Sequence, residues 1–477
     1  MKVLFASWEV APFFKVGGLG DVASSLPKAL SSLEIDIRLI VPYYSAFKLH
    51  FQKRKKIKTF YVKYDNKRIK VNIYKIYFID VKVPIYLLQN DKYLNFPDRH
   101  DTFAFFDLAI SHILKHNYLS WMPEIVHCNE FHTGFIPLLI KQNKLPIKTL
   151  LTIHSLYHQG ENSVDVINKM GINPKKSRII QWEIKKKKIN FLLEGLIHAD
   201  LVNTVSPSYA KEILTEEYGA GLDDILRGQE AKISGILNGI DYKSSNPSTD
   251  KNIKYHYHNG SDINKTQKTI YSITEGKRLN KAFLQEKVGF PVKKNIPLIS
   301  FVGRFAGYQK GLDIMHKMLR RLDLTKYQFI FLGTGNKSWE ERFLWLDSFY
   351  PKHVCCKFVF DERLASQIYA GSDFFLIPSK FEPCGLIQMI AMRYGTLPIA
   401  RATGGLKDSI EDGVDGFLFE KYSSHSLERK LSQAIDIWKK DKPRYKQMVK
   451  IAMNKDFSWN VSAKQYIELY KKLLDNK

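Results

Sequence analysis

The sequence predicts an α/β protein made of two doubly wound parallel sheets in tandem, each covered by helices on both faces. Three observations carry this expectation. Short apolar runs alternate with helix-patterned stretches along the chain, the signature of parallel sheet buried on both sides. A length of 477 residues exceeds what one hydrophobic core holds. The alternation breaks once, at a polar, irregular stretch from Tyr242 to about Gly276 that reads as a connection between domains.

In the first half, KVLFAS (2–7), IDIRLIVP (35–42), EIVHCN (124–129), KTLLTIHS (148–155) and DLVNTVS (200–206) read as strands, several rich in β-branched residues. FAFFDLAISHIL (103–114) has helical spacing, as does the stretch whose apolar face is Val22, Leu26, Ala29, Leu30 and Leu33. Pro27 fits that helix only in its first turn or at a kink. Past the break, PLISFVGR (297–304), YQFIFLGTG (327–335), CCKFVF (355–360), DFFLIPS (373–379) and TLPIA (396–400) are the strands, and GLDIMHKMLRRL (311–322) is a helix between them. The stretch 457–474 places Tyr466, Leu469, Tyr470 and Leu473 on one face of an amphipathic helix.

Composition narrows the function. No apolar run reaches the roughly 18 residues of a membrane span. Cys128, Cys355, Cys356 and Cys384 form neither a disulfide framework nor a zinc pattern, so the expectation is a cytoplasmic protein without a membrane partner. The net charge of +25 raises nucleic-acid binding, with clusters at Lys53–Lys56 and Lys185–Lys188. Lysine outweighs arginine and no nucleic-acid motif surrounds the clusters, so the reading is a solvated basic surface, at most attracting an anionic small substrate, and no nucleic-acid partner.

Chemistry concentrates in loops that follow strands, where open parallel sheets bind ligands. KVGGLGDV (15–22) offers Lys15, the backbone of Gly17 and Gly18, and Asp21 at the start of a helix; alone it stays open between a tight turn and an anion site. GRFAGYQKG (303–311) puts Arg304 and Lys310 on one loop, either as solvated charges or as a diphosphate clamp. SKFEPCGLIQ (379–388) sets Glu382 at a strand end, ahead of the Gly385 and Leu386 backbone, to grip a sugar hydroxyl. In ARATGGLKDSI (400–410), Thr403 and Gly404 can serve a phosphate. His127, His132, His154 and His158 lie near strand ends without the carboxylate or thiolate partners of a metal site. Phosphate cradles on both halves with cations, one glutamate and histidines suit transfer from a nucleotide-activated sugar across a cleft between the domains.

KVGGLGDV, GILNGID, QKG, FEPCGL, ATGGL and the closing FSW and YIELY, in order from Met1 to about Leu474, resemble the bacterial glycogen synthase and plant starch synthase family. These are retaining glucosyltransferases of the two-Rossmann GT-B type (family GT5). The resemblance implies domains at 1–245, completed by a returning helix at 457–477, and at 246–456. It implies transfer of glucose from ADP-glucose to an α-1,4-glucan, with neither cofactor nor metal. It assigns Lys15 and Gly18 to the donor diphosphate and glucose, with Glu9, Gly17 and Asp21 lining the same side. His154 and Asn238 fall to the glucose, Arg304 and Lys310 to the diphosphate, and Glu382 to the donor sugar. The backbone of Cys384, Gly385 and Leu386 falls to glucose, and that of Thr403 and Gly404 to phosphate.

Departures from the family pattern are Glu130-Phe131 in the usual DWH, Ser155 in the usual HNL, Leu193 in place of a lysine, and six rather than five positions from Arg304 to Lys310. The alternatives are a sibling glycosyltransferase making a short oligosaccharide or maltose phosphate, or a catalytically silent glucan-binding protein. The sequence leaves open ADP-glucose against UDP-glucose, acceptor length, regulation and oligomeric state.

Overall fold

A computed structural model describes the chain apart from residues 48–53, 79, 97–99, 259–269, 308 and 476–477. It divides into two compact units, Met1–Gly239 with Trp459–Lys477, and Ile240–Ser458.

The first unit is built on a nine-stranded sheet. Its strands are β1 (Lys2–Ala6), β2 (Asp36–Pro42), β3 (Lys55–Tyr64), β4 (Lys67–Tyr77), β5 (Pro84–Gln89), β6 (Ile125–Asn129), β7 (Lys148–Ile153), β8 (Leu201–Thr204) and β9 (Ile233–Gly235). They run in the order β9-β8-β7-β6-β1-β2-β5-β4-β3. All pairs from β9 to β5 are parallel, and β4 and β3 are antiparallel. The near-continuous burial of β1 and β6 explains their largely apolar sequence, because helices cover both faces, and the buried His127 and Asn129 of β6 are hydrogen-bonded.

Helix α1 (Gly18–Ser32) runs from the glycine loop. Pro27 lies in its interior, buried and beyond the first turn, which excludes the first of the two placements the sequence allows, the first turn and a kink. Ala23 thereby loses its helical N–H partner, a cost the packing of Leu26, Ala29 and Leu30 offsets. The helix Trp459–Asp475 returns to this unit. Trp459, Tyr466, Tyr470 and Leu473 share one core cluster with Val22, Leu26 and Leu30. The Tyr470 hydroxyl lies 2.8 Å from His127 Nδ1, and Asn203 Nδ2 donates to the Tyr466 hydroxyl at 3.0 Å. His127, whose other ring nitrogen lies 2.7 Å from Thr152 Oγ1, is thus a core residue.

The second unit is built on a six-stranded parallel sheet: β10 (Leu298–Val302), β11 (Gln328–Leu332), β12 (Val354–Lys357), β13 (Phe374–Ile377), β14 (Leu397–Arg401) and β15 (Phe417–Phe419). They are ordered β12-β11-β10-β13-β14-β15. Among its helices are α2 (Ile273–Lys287), α3 (Leu312–Leu319), α4 (Ile387–Arg393) and α5 (Gly404–Ser409).

The boundary falls earlier than 245/246. Residues after Gly239 join the second unit because the Ile240 N–H donates to Phe457 O (2.8 Å) and the Tyr242 hydroxyl donates to Lys455 O (3.1 Å). The described part of 242–276 is also more than a connection. Tyr257 is fully buried and donates to Tyr394 O at 2.7 Å, while the Tyr394 hydroxyl donates to Asp250. The remainder of that stretch, 259–269, and Lys53 of the basic cluster lie outside the described residues. Among the described residues, no helix is long and apolar enough to cross a membrane.

Candidate functional site

In the second unit the loops after β10, β13 and β14 converge. Lys310 Nζ lies 2.7 Å from Glu382 Oε2, with the two side chains only 13% and 10% exposed. Ser379 Oγ donates to the same oxygen at 2.9 Å, and the Lys380 N–H donates to Gln309 O, tying the two loops together. Arg304 is exposed and donates to Gln309 Oε1 at 3.2 Å, so its fork stays on this loop. The six-position spacing from Arg304 to Lys310 is accommodated, with Tyr308 between them outside the described residues.

The Glu382–Leu386 turn is pressed against the start of α5. The Gly405 N–H donates to Glu382 O at 3.1 Å. A Cβ on Gly404, whose φ is +45°, would sit 2.1 Å from that same carbonyl, and one on Gly405 would sit 2.1 Å from Cys384 O. The TGG sequence is therefore a packing requirement of the turn that carries Glu382. Cys384 is buried, Gly385 adopts φ +70°, and Leu386 precedes α4, with Gln388 Nε2 donating to Cys384 O and Gly385 O. Thr403, at the N-terminal end of α5, is fully buried.

One aromatic was missed in the sequence. Phe360, three residues beyond β12 and thus at the same carboxyl edge, is 87% exposed. Neighbouring Phe358 packs on Phe305 at 4.8 Å, fixing the segment to the Arg304 loop. An exposed ring there offers a flat face to a nucleobase. The pattern CCKFVF reads as strand throughout, which hid the point where the chain leaves the sheet.

In the first unit the glycine loop closes on an internal anion. Glu9, 1% exposed, accepts the N–H groups of Val16 and, at 3.0 Å, Gly17. Burial nevertheless raises its pKa, with the loop N–H groups and Asp21 acting as smaller influences in opposite directions. Glu9 and Gly17, expected to line the donor site, thus satisfy each other: the buried carboxylate shapes the loop and consumes the Gly17 donor. Gly18 has open space where a Cβ would stand, which leaves room for a ligand at the start of α1. Lys15 Nζ pairs with Asp21 Oδ2 at 2.7 Å, both half-exposed, so the cation is held beside the loop by a partner that a phosphate can displace.

His154 sits at the end of β7. Its Nε2–H donates to Asn129 Oδ1 at 3.0 Å, and Asn129 Nδ2 in turn donates to Ala6 O, which fixes the tautomer. Burial lowers the imidazole pKa to about 3, so the ring is neutral with Nδ1 as acceptor. Glu130, at φ +62°, accepts the N–H groups of His154 and of Ser155 (2.7 Å), and burial raises its pKa to about 8 against those two hydrogen bonds. The departure at Glu130 therefore anchors the His154 backbone. Asn238 is 6% exposed and its Oδ1 lacks a hydrogen-bond partner among the described residues, an acceptor suited to a sugar hydroxyl. His132 stacks on Trp8 at 4.4 Å and 12° and belongs to an aromatic group with Phe103 and Phe131. Among the described residues, no group of three or more His, Cys, Asp or Glu is arranged to hold a metal ion.

Comparison with known proteins fits this division. Residues 2–228 match the starch synthase catalytic domain family, and residues 281–455 match glycosyl transferases group 1. The chain is 39% identical to the glycogen synthase of Lactococcus lactis subsp. lactis (strain IL1403), covering 99% of this chain and 100% of that protein. It is 38% identical to the glycogen synthase of Clostridium beijerinckii, covering 99% of each. The catalytic domain of starch synthase IV from Arabidopsis thaliana, solved with ADP and acarbose, superposes with a TM-score of 0.87 at 31% identity, covering 100% of this chain and 99% of that one. Sucrose-phosphate synthase from Thermosynechococcus elongatus, at 17% identity and a TM-score of 0.61, shares the fold.

Proposed function

Because the chain belongs to the glycogen synthase and starch synthase family of GT-B glycosyltransferases, we propose that it extends α-1,4-glucans by glucose transferred from ADP-glucose, with retention of configuration and release of ADP. The observation that carries this reading is the buried Lys310–Glu382 pair at the carboxyl edge of the second sheet, beside Arg304 and the Glu382–Leu386 turn.

The bond that breaks joins C1 of the donor glucose to the β-phosphate oxygen of ADP. The bond that forms joins C1 to O4 of the terminal acceptor glucose, and the O4 proton passes to the departing phosphate oxygen on the same face. Charge builds on the diphosphate, and Arg304 and Lys310 stabilise it, the guanidinium as a fork and the ammonium as a point charge. Glu382 accepts a hydroxyl of the donor glucose. The position eight after Glu382 is Ile390, so Glu382 has no carboxylate partner there of the glycosidase kind. Within the first unit, Lys15 is suited to a phosphate, and Asn238 Oδ1 and neutral His154 to sugar hydroxyls. Cationic charge on the diphosphate comes from these side chains, so the reading assigns no metal or other cofactor, and turnover unaffected by EDTA is expected. Four buried cysteines, none in a disulfide, support placing the enzyme in the cytoplasm.

The deciding experiment supplies radiolabelled ADP-glucose with and without glycogen. Label entering long α-1,4-chains only with primer is expected. A short soluble oligosaccharide or maltose phosphate would replace this reading with a sibling activity, and ADP release without chain extension would indicate a glucan-binding protein. A parallel arm with UDP-glucose reads the base preference.

A further inference from the structure

We propose that the second unit carries a binding site for an organic phosphate, separate from the donor loops, in a cavity where α2 meets the helices Ser424–Lys440 and Lys442–Asn454. The cavity measures about 400 Å³, within the usual range of small-ligand sites. It lies at the opposite edge of the sheet from Glu382: Asp373, in its wall, immediately precedes β13, whereas Ser379 and Glu382 follow the other end of that strand. The site stands independently of the sugar-transfer reading; only the controls of its test, ADP in the donor site and the KM for ADP-glucose, rest on that reading.

Charge is the first argument. Seven lysine and arginine side chains line the cavity against one carboxylate, that of Asp373. Asp373 is already committed, accepting from Lys281 Nζ at 2.6 Å and from the Leu298 N–H at 2.8 Å. Arg278 is paired with Glu275 at 2.7 Å. Lys294, Lys442, Lys446 and Lys450 have no carboxylate partner among the described residues. The last three stand four residues apart along one helix, a spacing at which like charges repel. Some lysines elsewhere on the chain find carboxylates, as Lys169 does with Asp101 and Lys455 with Asp415. A lysine-rich surface accounts for scattered cations, but not for their convergence on a concavity.

The interior is the second argument. Lys277 turns its ammonium inward to Thr396 Oγ1 (2.7 Å) and Tyr394 O (3.2 Å). Burial lowers its pKa to about 7. Lys442 Nζ sits 3.5 Å and Lys281 Nζ 4.9 Å from the centre of the Trp438 ring. Two ammonium groups thus share one aromatic ring, and the single carboxylate beside them, Asp373, is taken up by Lys281. Ile273, Val292 and Val449 supply apolar wall. An apolar interior under a cationic rim matches a phosphate head on a flat apolar body, and a bare inorganic ion would leave those walls unused.

The test is calorimetric titration of the full-length protein with saturating ADP present to fill the donor site. Phenyl phosphate and inorganic phosphate are the probes. The expected result is one equivalent of phenyl phosphate bound, at least tenfold tighter than inorganic phosphate. In Lys446→Glu/Lys450→Glu the affinity falls at least tenfold, while the KM for ADP-glucose stays within twofold. Both lysines are exposed, and Lys294→Ala, expected to weaken binding about threefold, serves as the check if the double variant is unstable. Absence of binding when ADP is present, equal affinity for the two probes, or unchanged affinity in both variants would overturn the proposal.

Discussion

Glu382→Ala exposes how the donor cradle is held together. The substitution removes the carboxylate 2.7 Å from Lys310, where the side chains are 13% and 10% exposed. At an effective dielectric of about 20, attraction at that separation is about 6 kcal/mol, most of it offset by desolvation of the two charges. Cutting such a pair from one side costs about 3–5 kcal/mol, because the surviving charge stays poorly hydrated. Lys310→Ala should fall at the low end, since Glu382 keeps the Ser379 hydroxyl donor (2.9 Å), and Glu382→Ala higher, since Ser379 loses its acceptor too. Removing both charges together leaves nothing stranded, so the double variant should cost about 2 kcal/mol less than the sum of the singles. For a unit of roughly 220 residues, each kcal/mol moves the melting temperature by about 2–4 °C. Scanning calorimetry on the full chain should show the Ile240–Ser458 transition lowered by roughly 10 °C in each single variant, and by clearly less than their sum in the double. Turnover in Glu382→Ala should drop on the order of 10²-fold or more. Additive stability losses, or wild-type turnover in Glu382→Ala, would refute the coupling and the role given to Glu382.

Two further expectations follow from the same geometry. Phe360→Ala should weaken ADP binding about tenfold, as loss of one base–aromatic stack does, yet leave the melting temperature unchanged because the ring is 87% exposed; an unchanged Kd for ADP would remove Phe360 from the site. Glu130 has a folded pKa of about 8, raised from 4.5 by burial, so the folded state binds its proton more tightly than the unfolded chain. Its contribution favours folding below about pH 4.5 and is lost as pH rises toward 8, at up to about 1.4 kcal/mol per pH unit. Glu130→Gln, which still accepts from His154 and Ser155, should therefore gain stability relative to wild type as pH rises from 5 to 8. A wild-type-minus-variant difference independent of pH would show that Glu130 does not titrate in that window.

Strand ends and the order of motifs were legible because parallel, doubly covered strands must be apolar throughout, and β1, β2, β6, β7 and β8 stand where their apolar runs stand. The hairpin of β3 and β4 was not. Its outward positions are lysines, as in Lys55, Lys63 and Lys67, so an alternating strand looked like a basic cluster. Arg304, Lys310 and Glu382 could be named because charged side chains at strand ends are few. The local structural roles of Glu9 and Glu130 were not legible because their partners are backbone N–H groups at Val16, Gly17, His154 and Ser155. No side-chain pattern encodes such a contact.

The return of Trp459–Asp475 to the first unit makes the second unit an insertion, and this inverts the order in which the protein can be finished as it leaves the ribosome. When residue 239 emerges, Asn203 still lacks the Tyr466 hydroxyl and His127 that of Tyr470. Val22 and Leu26 still lack Trp459 and Leu473. At about 5–20 residues per second that vacancy lasts on the order of 10–40 s. Meanwhile the intervening segment is contiguous and closes on itself through Ile240 and Phe457. The part made second can thus be complete first, and the part made first stays sticky until residues 459–475 have emerged, which is when a nascent chain of this enzyme most needs a chaperone.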